Sequence, residues 1–424
     1  MKPKPNAKRS ISVLGQLCKE IAPHLVAKVV RQVEARLGER DTARKLDVWS
    51  HTVSLIYCHS TNCLSLNDVC DGLSFHAYEL NAIRNAVPPT RSTLSRANRE
   101  RSSEYIKAIY EAVAEDLKAR HPKFFGRGER CFFRLPKRFK RAVRAIDSTT
   151  IELIANCMDW AQHRRRKAAA KIHLSLDPGS FLPVRIIVEP AKGHDANYMV
   201  ELCAGMKAGE TAVFDKAYVA YSHLDTLTER GICWVTRAKD NARFRTVRNL
   251  RKGSRRNGGI VFDKEVVLVG QKSRSRYPGH LRLVRTWVKD SAGDDKLLTF
   301  LTNNFEWTAG SVCDLYRSRW AIETFFKEIK QTLQLKTFIG YSRNAIEWQL
   351  WSAMLTYLLL RLKAWMTNWR KDFKHFFTLV KGVVWSMRNL AVLISGYGTA
   401  KRLPRADLCP SMPYLPGFEE LQFG

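Results

Sequence analysis

A chain of 424 residues with 45% hydrophobic side chains has room for two or three domains and is too apolar to be intrinsically disordered. Its 71 Lys and Arg against 40 Asp and Glu give a formal charge of +31, recurring through most of the chain, which favours a polyanionic partner such as nucleic acid over a ribosomal or membrane-surface role. The ten cysteines form no CxxC pair and no signal-peptide core follows the Lys-rich start, so buried packing thiols and a reducing cytoplasm are expected; Leu350 to Leu362 is too short and too interrupted to span a membrane.

Residues 1 to about 10 are Lys- and Pro-rich and predict no regular structure. Residues 11–37 and 42–60 carry apolar side chains at helical intervals, and Ser65 to Gly72 reads as a short helix capped by Ser65 and ended by Gly72. His51, Cys58, His59, Cys63, Cys70 and His76 resemble a zinc set only in composition, because their spacing fits no common zinc module. After the break at Pro88-Pro89, the segment Thr90 to Arg101 is small, basic and hydroxyl-rich and precedes a long helix, as a DNA recognition helix would; a solvated basic face is the alternative. Residues 121–140, with His121-Pro122, Gly126 and Gly128, read as a linker.

Strands are expected at 142–153, 168–177 and 181–189, with Asp177 to Ser180 as the turn between the last two. A helix from Ala196 to Met206, a strand at 211–215, a helix at 221–230 and a strand at 232–237 follow. Residues 238–311 return to strands, at 261–269, 281–288 and 297–302, separated by basic turns such as Arg251 to Arg256. The chain is helical again over 345–395, where Trp348, Trp351, Trp365, Trp369 and Trp385 read as packing anchors rather than base-stacking platforms.

On one helix Tyr316, Arg319, Glu323 and Lys330 fall within an arc of about 60°. Ile322, Phe325, Phe326, Ile329 and Leu333 supply a second, core-facing side. The polar stripe places one carboxylate among a phenol and two cations, groups suited to phosphate oxygens. Asp147 and Asp215 each end a short apolar strand, where α/β folds put their chemistry. With Glu323 they make a hard, all-oxygen set suited to Mg²⁺ or Mn²⁺. An Asp ending a strand is often only a cap; Glu152 is an alternative in register to Asp147, and Asp159 and Asp177 are weaker rivals. Arg237 also ends a strand, and His194-Asp195 read as a helix cap near the site. The runs 134–144, 163–167 and 272–285 are candidate phosphate tracks.

The spacing of Tyr316, Arg319, Glu323 and Lys330 matches, residue for residue, the signature of the YREK-type, insertion-sequence-four group of bacterial DDE transposases. Phe214-Asp-Lys-Ala-Tyr218 with Gly231 to Arg237 resembles that family's second block, with Lys216-Ala217 where many members have Arg-Gly. Ala145 to Thr150 with Lys171 to Asp177 resembles the first, and the resemblance runs over roughly residues 10 to 365. It implies an α/β ribonuclease-H-like catalytic core of the retroviral-integrase superfamily over 141–344, with a β-rich insertion at about 238–311. It also implies a helical N-terminal DNA-binding domain over 1–120 and a helical C-terminal region over 345–424. Asp147, Asp215 and Glu323 would be the catalytic metal ligands, holding two Mg²⁺ ions for which Mn²⁺ substitutes. Tyr316, Arg319, Lys330 and Arg237 would contact DNA, with Trp287 the candidate for stacking on an unpaired terminal base. The implied activity is cleavage at the ends of an insertion sequence and joining of the 3′-hydroxyls to target DNA, by a homodimer on double-stranded DNA. A nuclease that only cleaves, an inactive DNA-binding derivative and a polycationic RNA-binding protein are the rival readings.

Overall fold

Residues alternate in and out of the core along the strands that carry both aspartates. On β1 (Val143–Leu153) Val143 and Ala145 are buried on one face of the sheet and Ile146 on the other, and on β5 (Thr211–Phe214) all four residues are buried, as a central parallel strand requires. A computed structural model describes residues 11–396, apart from 39, 44, 127–137, 140, 154–161, 165–166, 192, 251–258, 290–293 and 334–337. The other strands are β2 (Gln162–Arg164), β3 (Lys167–Asp177), β4 (Leu182–Pro190), β6 (Cys233–Arg237), β7 (Phe244–Asn249), β8 (Ile260–Leu268), β9 (Leu281–Lys289) and β10 (Asp295–Thr302).

They form one mixed sheet in the order β2-β3-β1-β5-β6-β10-β9-β8-β7, with β4 also on β3. β1, β3 and β4 are antiparallel neighbours, whereas β1, β5 and β6 run parallel. This is the ribonuclease-H-like arrangement that the sequence leads one to expect. The insertion continues the same sheet, because β10 pairs antiparallel with β6 through Phe300↔Arg237 and Leu301↔Thr236. Its outermost strand β7 was not anticipated; five of its six residues are exposed, so the apolar-polar contrast that marks a strand is missing.

The helices are α1 (Val13–Cys18), α2 (Pro23–Leu37), α3 (Val48–Thr61), α4 (Leu66–Phe75), α5 (Ala77–Asn81), α6 (Arg91–Glu100), α7 (Glu104–Arg120) and α8 (Pro122–Phe125). Further on come α9 (Met199–Leu202), α10 (Tyr221–Glu229), α11 (Gln271–Arg276), α12 (Ala309–Arg317), α13 (Trp320–Thr332), α14 (Arg343–Met366), α15 (Phe373–Val383) and α16 (Leu390–Ser395). Met199, Leu202, Leu224 and Leu227 of α9 and α10 cover one face of the sheet with Phe214 and Trp234, and Val312, Leu315 and Tyr316 of α12 cover the other with Val213, Val235 and Phe300.

Several expected helices are divided or shifted. The run 11–37 breaks at Pro23, which starts α2 as its first helical residue. The helix capped by Ser65 and Asp68 passes through Gly72 to Phe75; Gly72 is there for space, since a Cβ would lie 2.2 Å from the Tyr57 hydroxyl. The segment expected as one helix from Ala196 to Met206 is a 3₁₀ turn, Asp195–Tyr198, followed by the short α9. The basic turn at 251–256 lies outside the described residues, as does most of the expected linker.

The N-terminal and C-terminal helices do not have separate cores. α14 is apolar on every side and buried along most of its length, and α1, α3, α6, α7 and α15 pack around it. The Trp348 indole donates to the Arg101 carbonyl at 2.7 Å and its ring lies 4.0 Å from that of His51, while Trp351 meets Tyr110 at 5.4 Å. Those tryptophans are core anchors. The polar residues that interrupt α14 are satisfied within the fold: His59 Nε2 lies 3.0 Å from Ser352 Oγ, Thr356 donates to the Ser352 carbonyl at 2.8 Å, and Arg361 donates to the Tyr357 hydroxyl at 2.7 Å. His51 and His59 are thus engaged with Asn98 and Ser352, in place of the zinc set weighed above. No helix among the described residues is long and apolar enough to cross a membrane. Trp348→Ala is expected to cost about 3–5 kcal/mol in urea unfolding, and hydrogen exchange should show the N-terminal helices losing protection together with α14.

Candidate active site

Pairing of β1 with β5 aligns Ile146 with Phe214, so Asp147 and Asp215 come next on adjacent parallel strands; Asp215 follows the last residue of β5, whereas β1 runs on past Asp147 to Leu153 against β3, so Asp147 lies within its strand and not at the end expected for it. Asp215 leaves β5 in extended conformation and begins the 3₁₀ turn Lys216–Tyr218. β6 adds Arg237 one strand further on, since Phe214 is level with Thr236. Strand alternation puts all three side chains on the face covered by α12 and α13.

The stripe from Tyr316 to Lys330 is not one helix. α12 ends at Arg317 and α13 starts at Trp320, because the chain tightens to three-residue hydrogen bonds: Ser318 N and Arg319 N donate to the Leu315 and Tyr316 carbonyls at 3.0 Å, and Ser318 Oγ donates to the Leu315 carbonyl at 2.6 Å. Tyr316 packs against the sheet with its ring 4.7 Å from that of Phe300, and the Arg319 guanidinium lies 5.6 Å from the centre of the same ring. Tyr316 hydroxyl donates to Asp215 Oδ1 at 3.3 Å, and burial pushes its phenol up to about 12.

Arg319 holds the cluster together. Its Nη1 donates to Asp147 Oδ2 at 2.8 Å and its Nη2 to Glu323 Oε1 at 2.5 Å. Burial nevertheless pushes the Asp147 carboxyl up to about 6, against the lowering effect of Arg319 and with the added repulsion of Asp215 and Glu323. Three carboxylates interact here, and Arg319 bonds two of them. All the donors are hard oxygens, which suits a divalent cation. Among the described residues no three ligand side chains are close enough to enclose an ion as they stand. The guanidinium lies between two of the three, which is where closure would have to occur.

Lys330 reaches back to β1, donating to the Thr150 carbonyl at 3.0 Å. Glu328 is held by Arg361 and by the Tyr357 hydroxyl. Arg237 is close enough to lower the Tyr316 phenol's affinity for its proton. Trp287 does not join this group. It is 52% exposed, and alternation along β9 puts it on the opposite face from Val284 and Val288, which share the Tyr316 cluster. The rival Asp177 pairs with Arg144 at 3.3 Å, while the Glu152 side chain and Asp159 lie outside the described residues.

A second polar cluster behind β1 was missed by sequence reasoning. His173 on β3 is fully buried, with Nε2 at 2.7 Å from Glu189 Oε1 and Nδ1 at 2.8 Å from the Tyr218 hydroxyl. Tyr198 also bonds Glu189; Lys171 pairs with Asp195, whose other oxygen accepts from Ser148 Oγ at 3.4 Å. Ser148 follows Asp147 and Tyr218 closes the turn after Asp215, so this network braces both aspartates from the far face. The alternating polar positions Lys171, His173 and Ser175 in an otherwise apolar strand were the available signal.

Residues 138–359 match the family described as the transposase DDE domain, just over half of the chain. The chain belongs to the DDE transposases of bacterial insertion sequences. A protein of Sinorhizobium fredii named as a transposase is 34% identical over 252 residues, 59% of this chain and 69% of its own length. One named for insertion sequence element IS5377 of Geobacillus stearothermophilus is 30% identical over 53% of this chain and 57% of its own. The Escherichia coli transposase InsG for element IS4 is 29% identical over 35% of this chain and 34% of its own length. Residues 9–83 match a domain of unknown function. A piggyBac transposase in a synaptic complex with hairpin DNA aligns over 95% of this chain and 86% of its own, at 11% identity and a TM-score of 0.43, too low to carry weight. As a DDE transposase the chain is an enzyme of DNA cleavage and strand transfer, a class that uses divalent metal ions.

The folded-state pKa of Asp147 lies above its unfolded value, so ionisation of this group opposes folding above about pH 6, and the penalty fades as pH falls from 6 toward 3.8. Asp147→Asn should therefore stabilise this transposase in metal-free buffer at pH 8, by on the order of 2 kcal/mol, and lose that advantage at pH 4. Chemical unfolding at the two pH values in the presence of EDTA is the check.

Proposed function

We propose that Asp147, Asp215 and Glu323 are the catalytic carboxylates and together hold two divalent ions, Mg²⁺ with Mn²⁺ as a substitute. When bound, such ions activate a water or a 3′-hydroxyl and stabilise the leaving oxygen of a phosphodiester. The observation that carries this reading is that Asp147 and Asp215 follow the last β1–β5 register pair on adjacent parallel strands, with Arg319 tying Asp147 to Glu323.

In this reading Arg319 swings from the carboxylates onto a DNA phosphate, for which its planar fork is suited. That movement frees Asp147 and Glu323 together. Tyr316 keeps the Asp215 carboxylate in place, and Lys330 and Arg237, at either end of the row of carboxylates, contact the backbone on each side of the scissile phosphate. The helical body around α14 grips the terminal repeats of the element, and two copies act as a homodimer on double-stranded DNA, since both ends must be processed together. The bacterial nucleoid is the working location.

Two results test this. With the DNA that flanks the gene as substrate and Mg²⁺ or Mn²⁺ present, the wild type should nick 3′ ends and join them, and Asp215→Asn and Glu323→Gln should each abolish both products. Cleavage without joining would favour a nuclease, and specific binding without products from any variant would favour an inactive derivative. Separately, Arg319→Ala should tighten Mn²⁺ binding to the DNA-free protein several-fold, read by calorimetry or electron paramagnetic resonance, because the competing guanidinium is gone. Unchanged or weaker binding would show that Arg319 does not compete for the site.

A further inference from the structure

We infer that α6 is a ridge that enters the major groove of double-stranded DNA, with a cleft on each flank receiving the phosphates of one strand. This rests on the proposed gripping of the element's ends by the helical body and names the surface that does it. α6 is anchored by Leu94 and Asn98, the two buried residues of its ten. At 100° per residue the side opposite that anchor carries Ser92, Arg96 and Arg99, all exposed.

Thr93, Arg96 and Glu100 look into a cleft of about 650 Å³ closed on its far side by Arg40, Asp41 and Lys45. Arg91, Ser95 and Arg99 look into another, of about 610 Å³, whose far side is Ser65, Asn67 and Tyr341. A helix about 10–12 Å across standing between two clefts has the cross-section of a groove-bound helix between two sugar-phosphate strands. The charge is complementary as well. Arg40, Lys45, Arg91 and Arg96 are exposed and make no ion pair among the described residues, while Arg99 is paired only with its neighbour Glu100.

Each cleft also holds an unspent buried donor. Arg101 lines the first and is buried; its Nη2 donates to the Leu46 carbonyl at 2.5 Å and pairs with Asp41 at 3.1 Å, but Nε and Nη1 have no acceptor among the described residues. Asn98 lines the second; its Oδ1 lies 2.8 Å from His51 Nε2, and its Nδ2 has no partner among the described residues. Buried donors without acceptors are rare in native proteins, and here they add unspent hydrogen-bonding capacity, open to an ordered water or a bound group, at the floor of each cleft. Arg40, Asp41, Lys45, Ser65 and Asn67 all fall within the domain of unknown function, which thereby acquires a role as the backbone-holding wall of both clefts.

The test is fluorescence anisotropy with the full chain carrying Asp215→Asn to prevent cleavage, on one duplex with the element's end and one scrambled duplex. Arg96→Ala and Arg99→Ala should weaken end binding about 10- to 100-fold and leave scrambled binding nearly unchanged. Lys45→Ala and Arg91→Ala should weaken both duplexes alike and reduce the slope of log K against log salt by about one each. All four positions are exposed, so circular dichroism melts should not move. If the parent prefers the end duplex and the four variants match it in affinity and slope, the inference is overturned. If the parent itself shows no end preference, the terminal-repeat reading fails, and the clefts are judged by the slopes alone: a loss of about one supports them and an unchanged slope refutes them. Competition by double-stranded RNA as strong as by DNA would also refute a groove-entering ridge, since the A-form major groove is too narrow for a helix.

Discussion

Everything at the strand ends depends on bringing three carboxylates together without a compensating ion inside the protein's own inventory. Arg319 is the partial solution. A single guanidinium bridging Asp147 and Glu323 neutralises part of the charge, and it does so with a side chain on a turn between two helices, which can move without disturbing the sheet. Burial still holds the Asp147 carboxyl up near 6 against the lowering effect of Arg319. Tyr316 stays beside this guanidinium across the turn, 5.6 Å from ring centre to Arg319, and bonds Asp215, so the phenol and the cation together reach all three carboxylates.

The carboxylates also need a floor that does not shift. Their strands are held on the far face by His173, which links β4 through Glu189 to the turn after Asp215 through Tyr218. Burial lowers the affinity of this imidazole for a proton while Glu189 opposes that change. The ring is therefore better described as a hydrogen-bonding brace than as a second acid or base, and no atom of it faces the carboxylate side of the sheet.

Much of this was legible because it follows from local pattern. The rule that a short apolar strand presents its last residue holds for Asp215; it does not describe Asp147, because β1 runs on to Leu153 and only its pairing with β5 stops before that aspartate, a limit set by a strand distant in sequence. Lys330 and Arg319 were found as cations near Glu323, but their partners were not, since spacing on a helix says which side chains share a face and not which of them reaches a neighbouring strand. For Trp287, half exposure was legible, whereas the face it occupies, away from the Tyr316 cluster, depends on a register fixed by β8 and β10, distant in sequence. Gly72 was read as a helix end on composition, when the space it provides is set by Tyr57 of another helix. The domain division was drawn where composition changes, yet helix packing ignores that boundary; an all-apolar helix such as α14 needs partners on every side, and the N-terminal helices are the ones available.

That shared core ties the DNA-gripping surface to the chemistry. Asn344, in the first turn of α14, donates to the Asn98 and Arg101 carbonyls at 2.9 and 2.7 Å and accepts from Ser103 N at 2.9 Å, so the carboxyl end of α6 is fastened to the amino end of α14. Past the middle of α14, Tyr357 and Arg361 hold Glu328 on α13, about one and a half turns after Glu323, with Tyr357 packed 5.2 Å from Phe325. The path from α6 to the helix of Glu323 thus runs through buried or half-buried side chains hydrogen-bonded at each of these steps. If a duplex sits on α6 as proposed, α14 sets its distance from the carboxylates. Positioning of the scissile phosphate would then be a property of the folded body, with the proposed movement of Arg319 as the remaining step.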